Sequence, residues 1–180
     1  MTSILALAGS LRSASTNRGL VRAAIESAPA GITVTTFELR DVPMYDGDVE
    51  DAGPPQPVLD LKAAIAAADG VLLVSPENNA SVPAVLKNAV DWASRPKGVI
   101  QGKPVALAGA TTGGFGTVRG QIAWRQVLAN LSVPVLPSPT LLVSGSADKF
   151  AADGTLTDAA TREQLAALLT AFAAWIEQHR

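Results

Sequence analysis

Short runs rich in β-branched residues and leucine alternate along this chain with alanine-rich stretches of helical character. Strands that alternate with helices form parallel sheets covered on both faces. The runs predict five strands, near Ser3–Gly9, Ile32–Leu39, Gly70–Ser75, Val105–Ala110 and Val133–Val143. Helices are predicted near Asn17–Ser27, Val58–Ala68, Val82–Ala93, Thr117–Asn130 and Asp158–His179, with Gly53–Pro57 as a loop. This spacing predicts a doubly wound, three-layer α/β sandwich of order 2-1-3-4-5, in one domain over residues 1–180.

In a sheet of this order, ligands bind beyond the carboxyl ends of the strands, where the strand order reverses between strands 1 and 3. The loops after strands 1, 3 and 4 should therefore carry the chemistry. The first of them, residues 9–17, reads GSLRSASTN and opens a helix. Hydroxyl and amide groups, a helix amino terminus and a guanidinium make a phosphate cradle. The candidate ligands are Ser10, Arg12, Ser15, Thr16 and Asn17.

A serine-rich helix cap with nothing bound is the alternative interpretation of this first loop. The loop contains neither a Walker motif nor GxGxxG, which disfavours ATP and NAD bound in the Rossmann manner. The second loop, after strand 3, offers polar groups to a planar ring, and its candidates are Pro76, Glu77, Asn78 and Asn79. The third loop, after strand 4, permits close backbone approach, and its candidates are Thr111, Thr112, Gly113 and Gly116.

The types of residue that are missing narrow the chemistry further. There is no cysteine, which excludes disulfides, thiolate metal sites and a cysteine nucleophile and fits a reducing cytoplasm. The one histidine, His179, is next to last, so histidine-dependent catalysis is not expected and no metal site is assigned. A net charge of −2 disfavours nucleic acid and anionic membrane as partners. The start, MTSILALAGSLRS, lacks the basic segment of a signal peptide, and no run is long enough to span a membrane.

The three loops together resemble those of the NADPH-dependent FMN reductase family, which includes chromate, quinone and azoreductase-like enzymes. The first loop is similar to the family pattern GSxRxxSxN, and LRDVPMYD at 39–46 is similar to LRDLPLYD. The stretch PENNASVPAVLKNAVDWASRP at 76–96 is similar to PEYNxSxPxxLKNAIDWxSRP. The segment TTGGFGTVRGQ at 111–121 is similar to STGxxGGxRxQ. Two residues depart from these patterns: Asn78 replaces a tyrosine, and Thr117 replaces the second glycine.

The resemblance implies a flavodoxin-like fold with FMN as cofactor and NADPH or NADH as electron donor. It implies phosphate contacts from the first loop and contacts to the flavin ring and ribityl chain from the other two. Flavin would carry the chemistry without a catalytic protein side chain, by ping-pong hydride transfer to a quinone, flavin, azo dye or chromate. It also implies a homodimer or homotetramer in which Tyr45 or Trp92 helps to shape a neighbour's pocket.

Two other functions stay open at this point. One is a flavodoxin-type electron carrier, although such carriers are usually strongly acidic and sandwich the flavin between aromatic side chains. The other is an interaction protein that binds FMN weakly and has no turnover, which the departures at Asn78 and Thr117 would fit.

Overall fold

The computed structural model describes residues 1–96 and 98–179. Strands and helices alternate along this part of the chain, with two helices between the second and third strands. The strands are β1 (Thr2–Ala8), β2 (Ile32–Thr36), β3 (Gly70–Val74), β4 (Val105–Ala110) and β5 (Leu141–Val143). The helices are α1 (Thr16–Glu26), α2 (Gly47–Ala52), α3 (Gln56–Ala67), α4 (Ala84–Ala93), α5 (Val118–Asn130) and α6 (Ala159–Glu177), with a 3₁₀ turn at Ser146–Asp148.

The five strands form one parallel sheet in the order β2-β1-β3-β4-β5. This confirms the predicted fold class and strand order. β1 lies between β2 and β3, so the chain leaves β1 on one side and returns on the other. The connections that follow β1 and β3 therefore run in opposite directions. This leaves room for a cleft at the carboxyl ends of the two strands.

Two apolar layers cover the sheet, one on each face. Along β1, Ile4 and Ala6 pack toward α1 and α6, while Leu5 and Leu7 pack toward α3, α4 and α5. This alternation follows from the two-residue period of a strand. All five residues of β3 are buried, as expected for a central strand covered on both faces. The sequence GVLLV is therefore continuously apolar where an edge strand would alternate.

The predicted fifth strand is much shorter in the structure than in the sequence analysis. Only Leu141–Val143 pairs with β4, and Val135 adds a single isolated bridge to Val105. Three prolines interrupt residues 133–140: Pro134, Pro137 and Pro139. Proline has no N–H to donate to a ladder, so the apolar residues around it pack without forming a strand. The predicted second strand is also too long, because β2 ends at Thr36.

The five predicted helices agree with the structure to within two residues at each end. Helix α2 was not predicted, because none of its six residues is buried and it has no apolar stripe to detect. Its start is fixed instead by Asp46, whose carboxylate accepts the N–H of Asp48 at 2.9 Å. Helix α3 begins at Gln56, earlier than predicted, because a proline fits within the first helical turn. Within residues 1–96 and 98–179, no helix is both long and apolar enough to cross a bilayer.

Candidate functional site

A cleft of about 540 Å³ opens at the carboxyl edge of the sheet. Its walls are the loops after β1, β3 and β4 together with the first turn of α4. The predicted location at the reversal of strand order is therefore where the structure places a cleft. Most of the predicted site residues line it: Ser10, Arg12, Ser15, Thr16, Asn17, Pro76, Glu77, Asn78, Thr111 and Thr112. Asn79, Gly113 and Gly116 are not among the lining residues.

The first loop ends in a capped helix with one backbone donor left free. The Ser15 Oγ accepts the N–H groups of Asn17 at 3.2 Å and Arg18 at 3.5 Å. Within the described part of the chain, the backbone N–H of Thr16 has no protein acceptor. Arg12 is exposed, and no described carboxylate forms an ion pair with it. An unpaired cation beside a helix amino terminus is an arrangement that binds phosphate.

Gly9 lets the first and second loops approach each other closely. A Cβ atom at this position would lie 2.8 Å from the side chains of both Pro76 and Pro83. The sequence analysis assigned Gly9 to the first loop, and the structure shows that lack of space, not a left-handed backbone, is what requires glycine here. The two prolines therefore form a stiff wall directly against the start of the first loop.

Asn17 lines the cleft, but its side chain is engaged by the protein. It is buried, its Nδ2 donates to the carbonyl of Ala110 at 2.9 Å, and its Oδ1 accepts the N–H of Ala110 at 2.9 Å. This pair of bonds ties the start of α1 to the end of β4. The Asn17 Nδ2 keeps a second hydrogen beyond the bond to Ala110, so the predicted phosphate contact stays a prediction beside this structural role.

The second loop contains a tight turn with an unusual backbone. The N–H of Asn78 donates to Ser81 at 3.1 Å, and the N–H of Ser81 returns to Asn78 at 2.9 Å. Between them Asn79 and Ala80 have φ angles of 50° and 60°. Alanine rarely adopts this left-handed conformation, and such strain concentrates at functional sites. Asn78 lines the cleft and has an exposed side chain, whereas Asn79 lies at the tip of the turn.

The Glu77 carboxylate binds the start of α5. It accepts the backbone N–H groups of Arg119 at 2.9 Å and Gly120 at 3.1 Å, and the Arg119 side chain pairs with it. Burial alone would raise the pKa of Glu77, but these hydrogen bonds and the cation outweigh it, and the pKa is lowered. These bonds therefore stabilise the folded protein at pH values above about 4.3, the pKa of a glutamate in the unfolded chain. The stabilisation is lost as the pH falls through the lowered pKa that Glu77 has in the folded protein.

The third loop contributes Thr111 and Thr112 to the cleft and then turns away. Gly116 has φ 58°, and a Cβ there would lie 2.8 Å from the carbonyl oxygen of Leu142. Thr117 follows with φ 70° and is buried, so it adopts the conformation that suits the glycine of the family pattern. Gly116 therefore shapes the loop and does not line the cleft, and Gly113 does not line it either.

Several cleft residues were not predicted from the sequence. Leu11, Ala14, Ala84 and Val85 carry no polar side chain, so a search for chemical groups passes over them. Pro83 precedes α4 and offers no side-chain cap, which leaves the first N–H groups of that helix available near the cleft. A helix that begins without a capping side chain directly after a sheet edge is the sequence signal that could have indicated this wall.

Two other predicted features take structural roles. His179 packs on Trp175, with ring centroids 4.0 Å apart, at the end of α6 that lies near the amino ends of β3 and β4, away from the cleft. Trp92 is fully buried, and its Nε1–H donates to the carbonyl of Pro43 at 2.8 Å. The expectation that Trp92 helps to shape a neighbour's pocket is therefore wrong, because none of its surface is available to a neighbour.

The fold and the cleft define an α/β protein of the flavodoxin-like class, with a cleft at its switch point that is lined by the unpaired Arg12 and the start of α1. A sequence profile described as NADPH-dependent FMN reductase matches residues 2–148. The chain belongs to this family, whose cofactor is FMN and whose members are NAD(P)H-dependent reductases. The residues of the cleft fit that cofactor: free donors and Arg12 at one end, and stiff, largely uncharged walls at the other.

Three known proteins illustrate the similarity. An NAD(P)H-dependent FMN reductase of Pseudomonas aeruginosa is 39% identical over 98% of this chain and 96% of its own. An NADPH:quinone oxidoreductase of Arabidopsis thaliana is 40% identical over 96% of this chain and 90% of its own. The solved structure of FerB, a flavoenzyme NAD(P)H:(acceptor) oxidoreductase from Paracoccus denitrificans, is 33% identical, covers 99% of both chains and has a TM-score of 0.89.

Proposed function

We propose that this single-domain protein binds FMN in the cleft and catalyses electron transfer from NADPH or NADH to a small acceptor in the cytoplasm. Bound FMN would supply the hydride chemistry in a ping-pong cycle, with nicotinamide leaving before the acceptor enters. The observation that carries the proposal is the unpaired Arg12 beside the free Thr16 N–H at the α1 amino terminus, within one cleft. This arrangement favours a phosphorylated ligand over an uncharged one.

The side chains of this cleft bind and orient, and none is set up as a nucleophile. The sequence has no cysteine, and His179 lies on α6 away from the cleft. The first loop holds the phosphate, Pro76 and Pro83 fix one wall, and Thr111 and Thr112 provide hydroxyl groups on the other.

A quinone is the acceptor we favour, since relatives spanning nearly the whole chain are named quinone reductases. Free flavin, azo dyes and chromate are the other candidate acceptors. The electron carrier is the competing function, and it predicts a strongly acidic surface, whereas this chain has a net charge of only −2. Only one tyrosine is present, and no aromatic residue stands in the second loop, which leaves a face of the cleft open to a second substrate.

The test is the absorbance spectrum of the purified protein followed by NADPH and NADH oxidation with added FMN and a quinone. Flavin bands together with turnover support the proposed function. Flavin bands without turnover identify a carrier, and absent bands with millimolar FMN affinity identify the weakly binding alternative. Steady-state kinetics measured separately with NADPH and NADH determine the preferred donor. Initial rates measured at varied donor and acceptor concentrations test the ping-pong order.

Asn78→Tyr is expected to tighten the flavin or nicotinamide complex a few-fold and to disfavour bulky acceptors. A tyrosine here would bring back the ring of the family pattern, and aromatic contacts add roughly 0.5–1.5 kcal/mol beyond area burial. Steady-state kinetics with a small and a large quinone, alongside FMN titration, measure the effect. Asn130→Tyr, at the exposed end of α5, is the matched control. Unchanged FMN affinity, nucleotide KM and acceptor ratio would show that Asn78 does not face the ring.

A homodimer or homotetramer is the assembly we propose. Large apolar side chains are exposed, among them Met44 at 72%, Phe115 at 68% and Ile122 at 63%. A second copy of the chain would cover such side chains. Light scattering at micromolar concentration is expected to give at least twice the 18.4 kDa mass of one chain. A mass near one chain would contradict the assembly.

A further inference from the structure

The Glu77 carboxylate connects two loops that are distant in sequence. It belongs to the loop after β3, yet within the described residues its hydrogen-bond partners lie at the start of α5, directly after the loop that follows β4. Its Oε2 accepts the N–H groups of Arg119 at 2.9 Å and Gly120 at 3.1 Å, and its Oε1 accepts Arg119 Nε at 2.7 Å. The side chain is only 7% exposed, so water competes little for these bonds.

Helix α5 depends on this carboxylate because it lacks a cap of its own. Thr117 occupies the capping position in the left-handed conformation, and its hydroxyl makes no capping bond. The N–H groups of the second and third helical residues would therefore lack acceptors. Glu77 supplies both acceptors from another loop, and its negative charge lies at the positive end of a 13-residue helix.

The second loop and α5 also touch directly. A Cβ at Gly120 would lie 3.2 Å from the Ser81 carbonyl oxygen and 3.5 Å from the Glu77 Cα, so glycine permits the contact. On its other side Arg119 stacks over Phe115, with 5.2 Å from the guanidinium carbon to the ring centre. A continuous chain of contacts therefore runs from Glu77 through Arg119 to the tip of the third loop.

We propose that Glu77 is a positioning residue that holds the second and third loops in one fixed arrangement. The end of the cleft that these two loops line, the ring end, is then preformed. The identity of the ligand rests on the proposed function, whereas the link between the loops does not. The first loop, which we propose to hold the phosphate, is a separate segment. Loss of Glu77 should therefore weaken the contacts to the ring of a ligand and leave the contacts to its phosphate unchanged. FMN and riboflavin should therefore lose affinity equally.

The experiment compares Glu77→Ala, Glu77→Gln and Arg119→Ala with the original protein. The first variant removes both acceptors, the second keeps one neutral oxygen acceptor, and the third breaks the ion pair but retains the backbone bonds. Glu163→Gln, on the exposed side of α6, is the charge-matched control. Hydrogen–deuterium exchange of residues 113–120 is measured without ligand, and FMN and riboflavin are titrated separately.

Glu77→Ala is expected to speed exchange in residues 113–120 and to weaken FMN and riboflavin alike, by about three- to tenfold. Glu77→Gln should recover part of the loss, and Glu163→Gln should match the original protein. Unchanged exchange, or a loss confined to FMN, overturns the proposal. If Glu77→Ala does not fold, Glu77→Gln and Arg119→Ala decide it by the same criteria. If the original protein binds neither ligand, the proposed function fails, while the exchange measurement still decides the link between the loops.

Discussion

Arg12→Ala is expected to weaken FMN binding by about tenfold to a hundredfold while riboflavin binding stays nearly unchanged. A hydrogen bond to a charged group contributes roughly 1.5–3 kcal/mol, and this range gives the expected factor. Arg12 lines the cleft, is exposed, and pairs with no carboxylate in the described chain, so its removal breaks no contact that holds the fold. Riboflavin lacks the phosphate and serves as the internal comparison. Isothermal titration or flavin fluorescence with both ligands measures the two affinities.

Arg22→Ala is the matched control for this measurement. Arg22 lies on α1 about two turns along, donates to the carbonyl of Asp153 at 3.3 Å and does not line the cleft. It removes the same charge from the same region, so it reports any long-range electrostatic effect. Equal losses for FMN and riboflavin in Arg12→Ala would show that Arg12 does not bind the phosphate. A loss in Arg22→Ala as large as in Arg12→Ala would assign the effect to net charge.

The central strands were predictable because β1, β3 and β4 are buried on both faces. The sequence GVLLV at β3 is apolar at every position. A short, continuously apolar run of this kind is typical of a parallel strand that is covered on both faces. Strand order then follows from the number of strands and the reversal rule. The region before β5 was not predictable from apolar content alone, since proline at 134, 137 and 139 removes donors without reducing hydrophobicity.

The first loop could be identified as a candidate phosphate site for a different reason: its polar groups lie close together in the sequence. Ser15 and the α1 amino terminus lie within a few residues of Arg12, so the sequence already places the donors together. The ring end of the cleft depends on contacts between distant segments. Nothing near Glu77 in the sequence indicates that Arg119, more than forty residues later, binds its carboxylate.

The departure at Thr117 shows how a local pattern and the tertiary structure combine. The sequence indicates only that a threonine stands where the family pattern has glycine. The structure shows the left-handed backbone that glycine would accept without strain, and it shows how the larger side chain fits. A Cβ at Gly109 would lie 2.4 Å from the Thr117 hydroxyl, so the glycine in β4 provides the space. Gln121 Nε2 then donates to that hydroxyl at 3.3 Å.

Asn17 is a residue to which the tertiary structure adds a role that the sequence does not indicate. As a polar residue at a helix start it resembles a phosphate ligand, and only the tertiary structure reveals Ala110 as its partner. An amide can donate and accept at once, which matches the N–H and C=O of one residue on a neighbouring strand. The same bonds place the end of β4, and with it Thr111, at the first loop.

Asn17→Ala is therefore expected to destabilise the ligand-free protein by about 2–5 kcal/mol. The substitution leaves the buried N–H and C=O of Ala110 without partners, and each such group costs roughly 1–3 kcal/mol. For a chain of this size the melting temperature should fall by roughly 5–15 °C. Thermal unfolding without cofactor measures the change, and Thr16→Ala, whose side chain forms no hydrogen bond in the described structure, is the neighbouring control. An Asn17→Ala protein that melts normally but loses FMN affinity selectively over riboflavin would instead make Asn17 a direct phosphate ligand.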